Sequence, residues 1–336
     1  MSDTSTRPVV EICGGEAGAE PVRELLPART VELGGSTRVR RLLPTLGRRM
    51  VGAWCFVDHY GPDDVAAAPG MQVPPHPHIG LQTVSWLLEG TVHHRDSLGS
   101  DRLIEPGELA LMTAGRGIAH AEQSPDPHAP VLHGAQLWVA LPDGARAGDP
   151  RFEFHADLPV VTGRGLRATV LLGELAEAVS PGRVHTPLVG VDVELDAGAD
   201  VVLPLEPDFE HAVLTVSGAP DVDGVLEPGS LCYLGCGRSQ LRLRAGSGSR
   251  LLLLGGVPFG EEIVMWWNFV GRSGDGARRP RGLAGRDRRH RPGPLRRRHR
   301  LRRRTARGPG DATGPAAPAW PDPLRGSVPQ VGQPAS

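Results

Sequence analysis

The chain contains no lysine among its 336 residues, and this absence excludes one common class of site. A phosphate-binding loop of the Walker type places a lysine after its glycines and continues into a helix, so "GRG" at 115–117 is predicted to be a tight turn. A nucleophile elbow is not indicated either, because "VGRSG" at 270–274 lacks the Gly-x-Ser-x-Gly spacing. The sequence therefore predicts neither a phosphate loop nor a serine hydrolase.

Cysteines and long apolar runs are also scarce. The four cysteines are Cys13, Cys55, Cys232 and Cys236, and no second close pair joins the last two to complete a zinc site. They are predicted to be buried or free thiols in a reducing compartment. No apolar run has transmembrane length, and "MSDTSTRPVVEIC" at the N-terminus has no charged start followed by an apolar stretch. We therefore expect a soluble, cytoplasmic protein without membrane contact.

The charge is unevenly distributed along the chain. Residues 273–336 contain 16 arginines and 4 aspartates, whereas residues 1–272 contain 21 basic and 34 acidic residues, although the net charge is only −1. The basic tail has no apolar periodicity and is predicted to be disordered. Contact with nucleic acid is not expected, except nonspecifically through this tail.

The rest of the chain is a succession of short β-like runs. Gly and Pro turn signals recur at roughly ten-residue spacing, which is typical of an all-β sandwich or barrel. Helical periodicity is scarce, and "LLGELAEAVS" at 171–180 is at most a short helix or turn. The predicted fold class is therefore all-β.

An internal duplication sets the predicted domain organisation. "LQTVSWLLEG…DRLIEPGELALMTAGRG" is matched in order by "HAVLTVSGAPDVDGVLEPGSLCYLGCGRS", and each copy turns at a Glu-Pro-Gly. We predict an N-terminal segment at 1–29, β-barrel domains at 30–150 and 151–272, and the tail at 273–336. The second copy has only His211 where the first has a histidine pair, so we expect a site built on that pair in the first domain alone.

Two residue pairs in the first domain carry the chemistry. His76 and His78 are two residues apart in "VPPHPHIGL", and His120 and Glu122 are two apart in "GIAHAEQ". Side chains two apart on a strand point to the same face, so neighbouring strands could bring all four to one point inside a barrel. Alone, "HPH" is more often a turn or a surface pair. The matching second pair favours a metal site.

Three imidazoles and one carboxylate suit a first-row divalent metal and leave two positions of an octahedral shell open for a substrate oxygen or dioxygen. An exchangeable, reactive site is therefore favoured over a closed structural one. Five other histidines are predicted to be exposed or structural, because they lie beside turns or charged residues: His93, His94, His128, His133 and His155.

Four segments together resemble the pirin family of bicupins, and the similarity extends in order from about residue 30 to residue 273. They are "VPPHPHIGLQTVSWLLEG", "RDSLGS", "PGELALMTAGRGIAHAE" and "GAQLWVALP". The resemblance implies a cupin fold of two antiparallel, jelly-roll β-barrels packed face to face, with a metal in the first barrel only. It implies Fe²⁺ as the metal, with Ni, Cu, Mn or Zn as alternatives, and it implies the same four ligands: His76, His78, His120 and Glu122.

One position departs from the general cupin signature, which often has a glutamate a few residues after the histidine pair. This chain has Gln82 there, and in pirins the carboxylate ligand follows the third histidine, as Glu122 does here. Gln82 is expected either to hydrogen-bond a ligand or to lie at the barrel mouth. Gln136 is likewise expected in the second shell or in the pocket.

The resemblance also implies an activity. The leading prediction is a dioxygenase that opens a flavonol of the quercetin type with O₂, in which Glu122 acts as general base and the partners are a small aromatic substrate and O₂. The alternative is a regulatory protein that senses a metal or its redox state and acts through a protein partner.

The tail departs from the pirin pattern. Pirin-like chains continue past "WWNFVGRS" into a short helix and a closing segment, whereas this chain becomes rich in Arg, Pro and Gly. With suitable codons, "PLRRRHRLRRR" at 294–304 read one base later gives "RFGAVTGYDGD", which resembles that closing segment. A frameshift near Ser273 is therefore a hypothesis beside that of a genuine basic arm.

Overall fold

The computed structural model describes residues 10–11, 21–33 and 37–272. The predicted tail at 273–336, and with it the frameshift hypothesis, lies outside these residues.

The part of the chain up to Arg146 is called the first half below, and the part from Arg151 onward is called the second half. The described part of the first half consists almost entirely of strands. They are β1 (Val10–Glu11), β2 (Glu24–Leu26), β3 (Arg29–Leu33), β4 (Thr37–Leu43), β5 (Trp54–Asp64), β6 (Gln72–His78), β7 (Leu81–Glu89), β8 (Val92–Asp96), β9 (Asp101–Ile104), β10 (Leu109–Thr113), β11 (Ile118–Gln123) and β12 (Val131–Ala140). A single helical turn, α1 (Asp143–Arg146), follows β12.

The second half continues in the same way. Its strands are β13 (Arg151–His155), β14 (Val160–Gly163), β15 (Leu166–Leu172), β16 (Glu174–Leu175), β17 (Ala178–Val179), β18 (Leu188–Leu195), β19 (Ala199–Pro204), β20 (Glu210–Ser217), β21 (Leu231–Gly235), β22 (Gln240–Ala245), β23 (Ser249–Gly256), β24 (Ile263–Trp266) and β25 (Phe269–Gly271). The all-β prediction is confirmed. No helix in the described part of the chain is long and apolar enough to cross a membrane.

Two antiparallel seven-stranded sheets dominate the structure and have equivalent strand orders. The first runs β3-β4-β5-β12-β7-β10-β13, and the second runs β14-β15-β18-β23-β20-β21-β2. Strands β7 and β10 of the first sheet therefore correspond to β20 and β21 of the second, which is the pairing that the sequence repeat predicts. The first half also has a four-stranded sheet, β6-β11-β8-β9, and a small sheet pairs β1, β24 and β25.

Each large sheet takes its last strand from the other half of the chain. Strand β13 pairs with β10 in the first sheet, and β2 pairs with β21 in the second. The predicted boundaries after residues 29 and 150 therefore cut across the sheets, because turn signals mark where strands end but not which sheet a strand joins.

The two large sheets pack face to face through one apolar core that contains residues of both. Alternation along β7 sends Trp86 into this core and Leu87 into the interior of the first half. Trp54 fixes the interface with polar contacts, because its indole N–H donates to the carbonyls of Val189 (3.2 Å) and Gly255 (3.0 Å). A separate, mainly aliphatic cluster lies within the second half.

The segment 171–180 is neither a helix nor a single turn. It contains the end of β15 and the short antiparallel pair β16 and β17. Gly173 has φ +74° and Ala176 has φ +54°, and such left-handed backbone interrupts any helix in this segment.

Candidate metal centre

Two strands of the four-stranded sheet bring three histidines together. Strands β6 and β11 pair antiparallel with His76 opposite His120 and His78 opposite Ile118. The Nε2 atom of His120 lies 3.0 Å from Nε2 of His76 and 3.1 Å from Nε2 of His78. His78 and His120 are buried and His76 is half-buried.

The two prolines before the histidines fit this geometry. Strand β6 is an edge strand, so Pro74 and Pro75 can occupy it without removing a hydrogen bond from a second neighbour. The carbonyl of Pro74 also accepts a hydrogen bond of 2.8 Å from Nδ1 of His76. The proton of His76 is thereby held on Nδ1, and the Nε2 lone pair points into the cluster.

Burial keeps the three imidazoles unprotonated. It lowers the pKa of His78 and of His120 well below the usual value for histidine, and the neighbouring histidines lower it further. The pKa of His76 is also lowered by burial, with the Pro74 carbonyl and the Glu122 charge acting in the opposite direction. All three side chains are therefore available as neutral nitrogen donors at neutral pH.

Glu122 lies beside the cluster, on the His120 side. The ladder between β6 and β11 shifts register between His120 and Glu122, so the carboxylate does not repeat the position of the imidazole two residues before it. Its Oε1 accepts a hydrogen bond of 2.5 Å from the Ser85 hydroxyl, which also lies 3.0 Å from the side-chain amide of Gln136. The structure thus brings together the four predicted side chains, three as a compact group and the fourth as their neighbour.

His94, predicted from the sequence to be exposed or structural, is a member of this site. It is buried, and its ring stacks on that of Phe152 with centroids 4.3 Å apart. Its Nε2 lies 3.2 Å from Asp96 and its Nδ1 lies 3.4 Å from Nδ1 of His120. It also forms a second group of potential ligands with His120 and Glu122.

The contacts of His94 assign the protons along this chain of groups. The Asp96 carboxylate accepts from Nε2–H of His94; in the neutral ring, Nδ1 of His94 is then an acceptor for Nδ1–H of His120. The Nε2 atom of His120 then carries a lone pair directed at His76 and His78. A sequence signal did exist, because His94 alternates in phase with the buried Val92 and Asp96 in "VHHRD".

The two predicted glutamines lie in different places. Gln136 lines the pocket above the cluster and contacts Ser85. Gln82 is fully buried on the opposite face of β7, and its side-chain amide donates to Thr113 Oγ1 and to the Arg183 carbonyl. The structure therefore does not bring Gln82 to a ligand or to the barrel mouth, because its position along β7 is in phase with Trp86 and out of phase with Ser85.

Aromatic rings line the pocket next to the histidine cluster, which has a volume of about 240 Å³. Phe56 and Trp138 are stacked with ring centroids 4.0 Å apart, and the Trp138 ring meets His78 edge to face at 5.0 Å. Trp267, at the turn between β24 and β25, adds a third ring to the pocket lining. Its backbone is in the left-handed region, with φ +54°. The arrangement suits a planar, largely apolar molecule held above the histidines.

The residues present fit a divalent metal. The protons on Nδ1 of His76 and His120 leave two Nε2 lone pairs facing each other at 3.0 Å, an arrangement that a cation between them stabilises. The imidazole nitrogens of His76 and His78 lie within 3.1 Å of His120 Nε2, and with the neighbouring carboxylate they form a donor set that suits first-row divalent metals. Both potential ligand groups in the described part of the chain belong to the first half.

Comparisons with known proteins agree with this site and fold. The chain matches the family model for pirin over residues 36–139 and that for the pirin C-terminal cupin domain over residues 190–277. A Pseudomonas aeruginosa protein named provisionally as a quercetin 2,3-dioxygenase is 48% identical over 257 residues, 76% of this chain and 81% of that protein. Rat pirin is 32% identical over 263 residues, 76% of this chain and 88% of its own.

Solved structures are also similar to this chain in fold. The crystal structure of quercetin 2,3-dioxygenase from Acinetobacter baumannii has 47% sequence identity and a TM-score of 0.73, covering 75% of this chain and 85% of that one. A second Acinetobacter baumannii structure of the same name has 26% identity and a TM-score of 0.67, covering 75% and 92%.

Proposed function

Since this chain belongs to the pirin family, with a histidine cluster beneath an aromatic pocket, we propose that it is a metal-dependent dioxygenase that opens a flavonol of the quercetin type with O₂. The supporting observation is the group of three neutral imidazoles beside Glu122. The relatives named as quercetin 2,3-dioxygenases support the substrate class.

In this proposal His76, His78, His120 and Glu122 hold the metal, with Fe²⁺ as the leading candidate and Ni, Cu, Mn or Zn as alternatives. The metal would supply Lewis-acid polarisation of the substrate oxygen and a place for O₂ to react. Selection among these metals depends on cellular supply as well as on the ligands.

The protein groups provide positioning and proton transfer. Phe56, Trp138 and Trp267 hold the planar rings of the substrate by stacking and exclude water from the reacting carbons. Glu122 takes the proton of the flavonol hydroxyl as general base. The Ser85 hydroxyl, at 2.5 Å, orients the carboxylate for this transfer.

Oxygen consumption tests the proposal. Iron-loaded protein supplied with quercetin is expected to consume O₂ above background, and the His76→Ala, His78→Ala double variant is expected to fall to background, because it loses two of three imidazoles. His93→Ala is the matched control, since His93 alternates to the other face of β8 and contacts Asp101. It should retain the wild-type rate.

Equal, background uptake by wild-type and double-variant protein would remove the enzymatic proposal for this substrate. The regulatory alternative predicted from the sequence would then be favoured by capture of a protein partner that depends on the metal state.

A further inference from the structure

The second half of the chain contains a cavity of its own. It has a volume of about 490 Å³ and is lined by the β16–β17 hairpin, the start of β18 and the start of β20. Its wall is mainly aliphatic and includes Leu175, Val179, Leu188, Val189, Leu205 and Leu253. This size and polarity are typical of cavities that bind small organic molecules.

His211 belongs to the wall of this cavity, and the backbone of Phe209 is a polar neighbour of its ring. The side chain is fully buried, and neither ring nitrogen has a hydrogen-bond partner of normal distance and angle. Such a group has lost its water without replacement, which is unfavourable and rare in folded proteins. The ring also packs against bare backbone, because a Cβ added at Gly255 would lie 2.7 Å from its Cδ2.

The state of the imidazole defines what it can bind. Burial lowers the pKa of His211 to about 4, with the Phe209 backbone acting in the opposite direction, so the ring is neutral near neutral pH. A neutral imidazole offers one N–H donor and one lone pair. It therefore suits a hydroxyl or carbonyl group.

The other polar groups around the cavity restrict the charge of the occupant. The Ser180 hydroxyl already donates to the Leu171 carbonyl and accepts from the Gly182 amide, so it needs no ligand. Glu174 and Glu206 line the cavity where it is exposed to solvent, and their negative charges disfavour an anion. The Phe209 ring, 6.1 Å from that of His211, adds an aromatic surface.

We propose that this cavity binds an uncharged, hydroxylated aromatic molecule of one or two rings, with its hydroxyl group hydrogen-bonded to His211. Among the described residues, no cluster of three or more potential metal ligands lies at this cavity, and the proposal is independent of the proposed dioxygenase activity. The duplication thus gives two sites of different chemistry, since His211 lies on the strand that corresponds to β7 of the metal-binding half.

Calorimetric titration of the full-length chain with 2-naphthol tests the proposal. The titration is made on the His76→Ala, His78→Ala variant, in which the metal site is disabled, and repeated on metal-loaded wild-type protein. At least one molecule is expected to bind to the variant with a dissociation constant below about 1 mM, and binding in this cavity is the part that substitutions at His211 and Val179 change. His211→Leu in the same background should weaken binding about fivefold, because it removes one buried hydrogen bond.

A second variant keeps the test independent of any effect of His211→Leu on folding. Val179 is 60% exposed and lines the cavity, so Val179→Trp should obstruct the entrance and weaken binding about tenfold or more. Val225 is also 60% exposed but lies away from the cavity, so Val225→Trp is the matched control and should bind normally.

No binding of 2-naphthol to the metal-site variant would overturn the proposal. Equal affinities of the Val179→Trp and Val225→Trp proteins would also overturn it, because binding would then occur elsewhere. Loss of dioxygenase activity, by contrast, has no bearing on these titrations.

Discussion

At the metal centre, the neighbouring residue His94 controls which ring nitrogen of the predicted ligand His120 carries the proton. The His94 ring donates to Asp96 and accepts from His120, so the lone pair of His120 Nε2 faces the other two histidines. Phe152 stacks on the ring and holds its plane. The metal-binding tautomer of His120 therefore depends on a residue that is not one of the four predicted ligands.

Replacing His94 by phenylalanine keeps the stacking on Phe152 and removes the hydrogen bond to His120. We expect metal affinity to fall by about 10- to 100-fold, because His120 is no longer held in the binding tautomer. Competition with a chromophoric chelator measures the change. His93→Phe, on the other face of the same strand, should have wild-type affinity; equal affinities of the His94→Phe and wild-type proteins would contradict the assigned role.

At the scale of elements, the two large sheets are matched in strand order and held together by close contacts. Gly190 on β18 lies directly against Trp54, so that an added Cβ would be 2.9 Å from Cζ2 of the indole. The indole N–H in turn donates to two carbonyls of the second sheet. The absence of a side chain at Gly190 is thus required by packing and not by backbone conformation.

The substitution Gly190→Ala should therefore destabilise the protein by about 1–3 kcal/mol, because the methyl group overpacks the interface between the sheets. Urea denaturation measures the change as a lower midpoint. Gly246→Ala provides the control, since no atom lies within 4 Å of a Cβ added there. A midpoint equal to that of the control would show that Trp54 moves aside without cost.

At the scale of the whole molecule, several histidines are buried without charge in both halves. Burial and the nearby Arg40 lower the pKa of His59 to about 3, and burial lowers that of His211 to about 4. The unfolded chain protonates its histidines near pKa 6.5. As pH falls below about 6.5, the unfolded state therefore takes up protons first, and the free energy of unfolding decreases until the folded pKa values are reached.

Each of these two histidines should cost the metal-free protein about 2 kcal/mol of stability between about pH 7 and about pH 5. The His211→Leu variant should lose about 2 kcal/mol less than the wild type over this range, as measured by urea denaturation at both pH values. His93→Leu controls for removal of a partly exposed histidine. Parallel losses in wild-type and His211→Leu protein would contradict the role of His211.

Local patterns in the sequence predict the fold class, the duplication and the four side chains that approach one another. Alternation along strands is a local property, so spacing alone indicated that His76 and His78, and His120 and Glu122, could share a face. The repeat was visible because each copy preserves its turns and apolar pattern. The absence of a second histidine pair also restricted the predicted metal site to the first half.

Features that depend on the pairing of distant strands could not be predicted from local sequence patterns. Which edge strand completes each sheet, and whether Gln82 faces the ligands or the interface between the sheets, follow from register and sheet order, which local pattern does not encode. The role of His94 required β8 to lie beside β11. The unpartnered His211 became visible only when the strands enclosed it, because burial is a property of the assembled core.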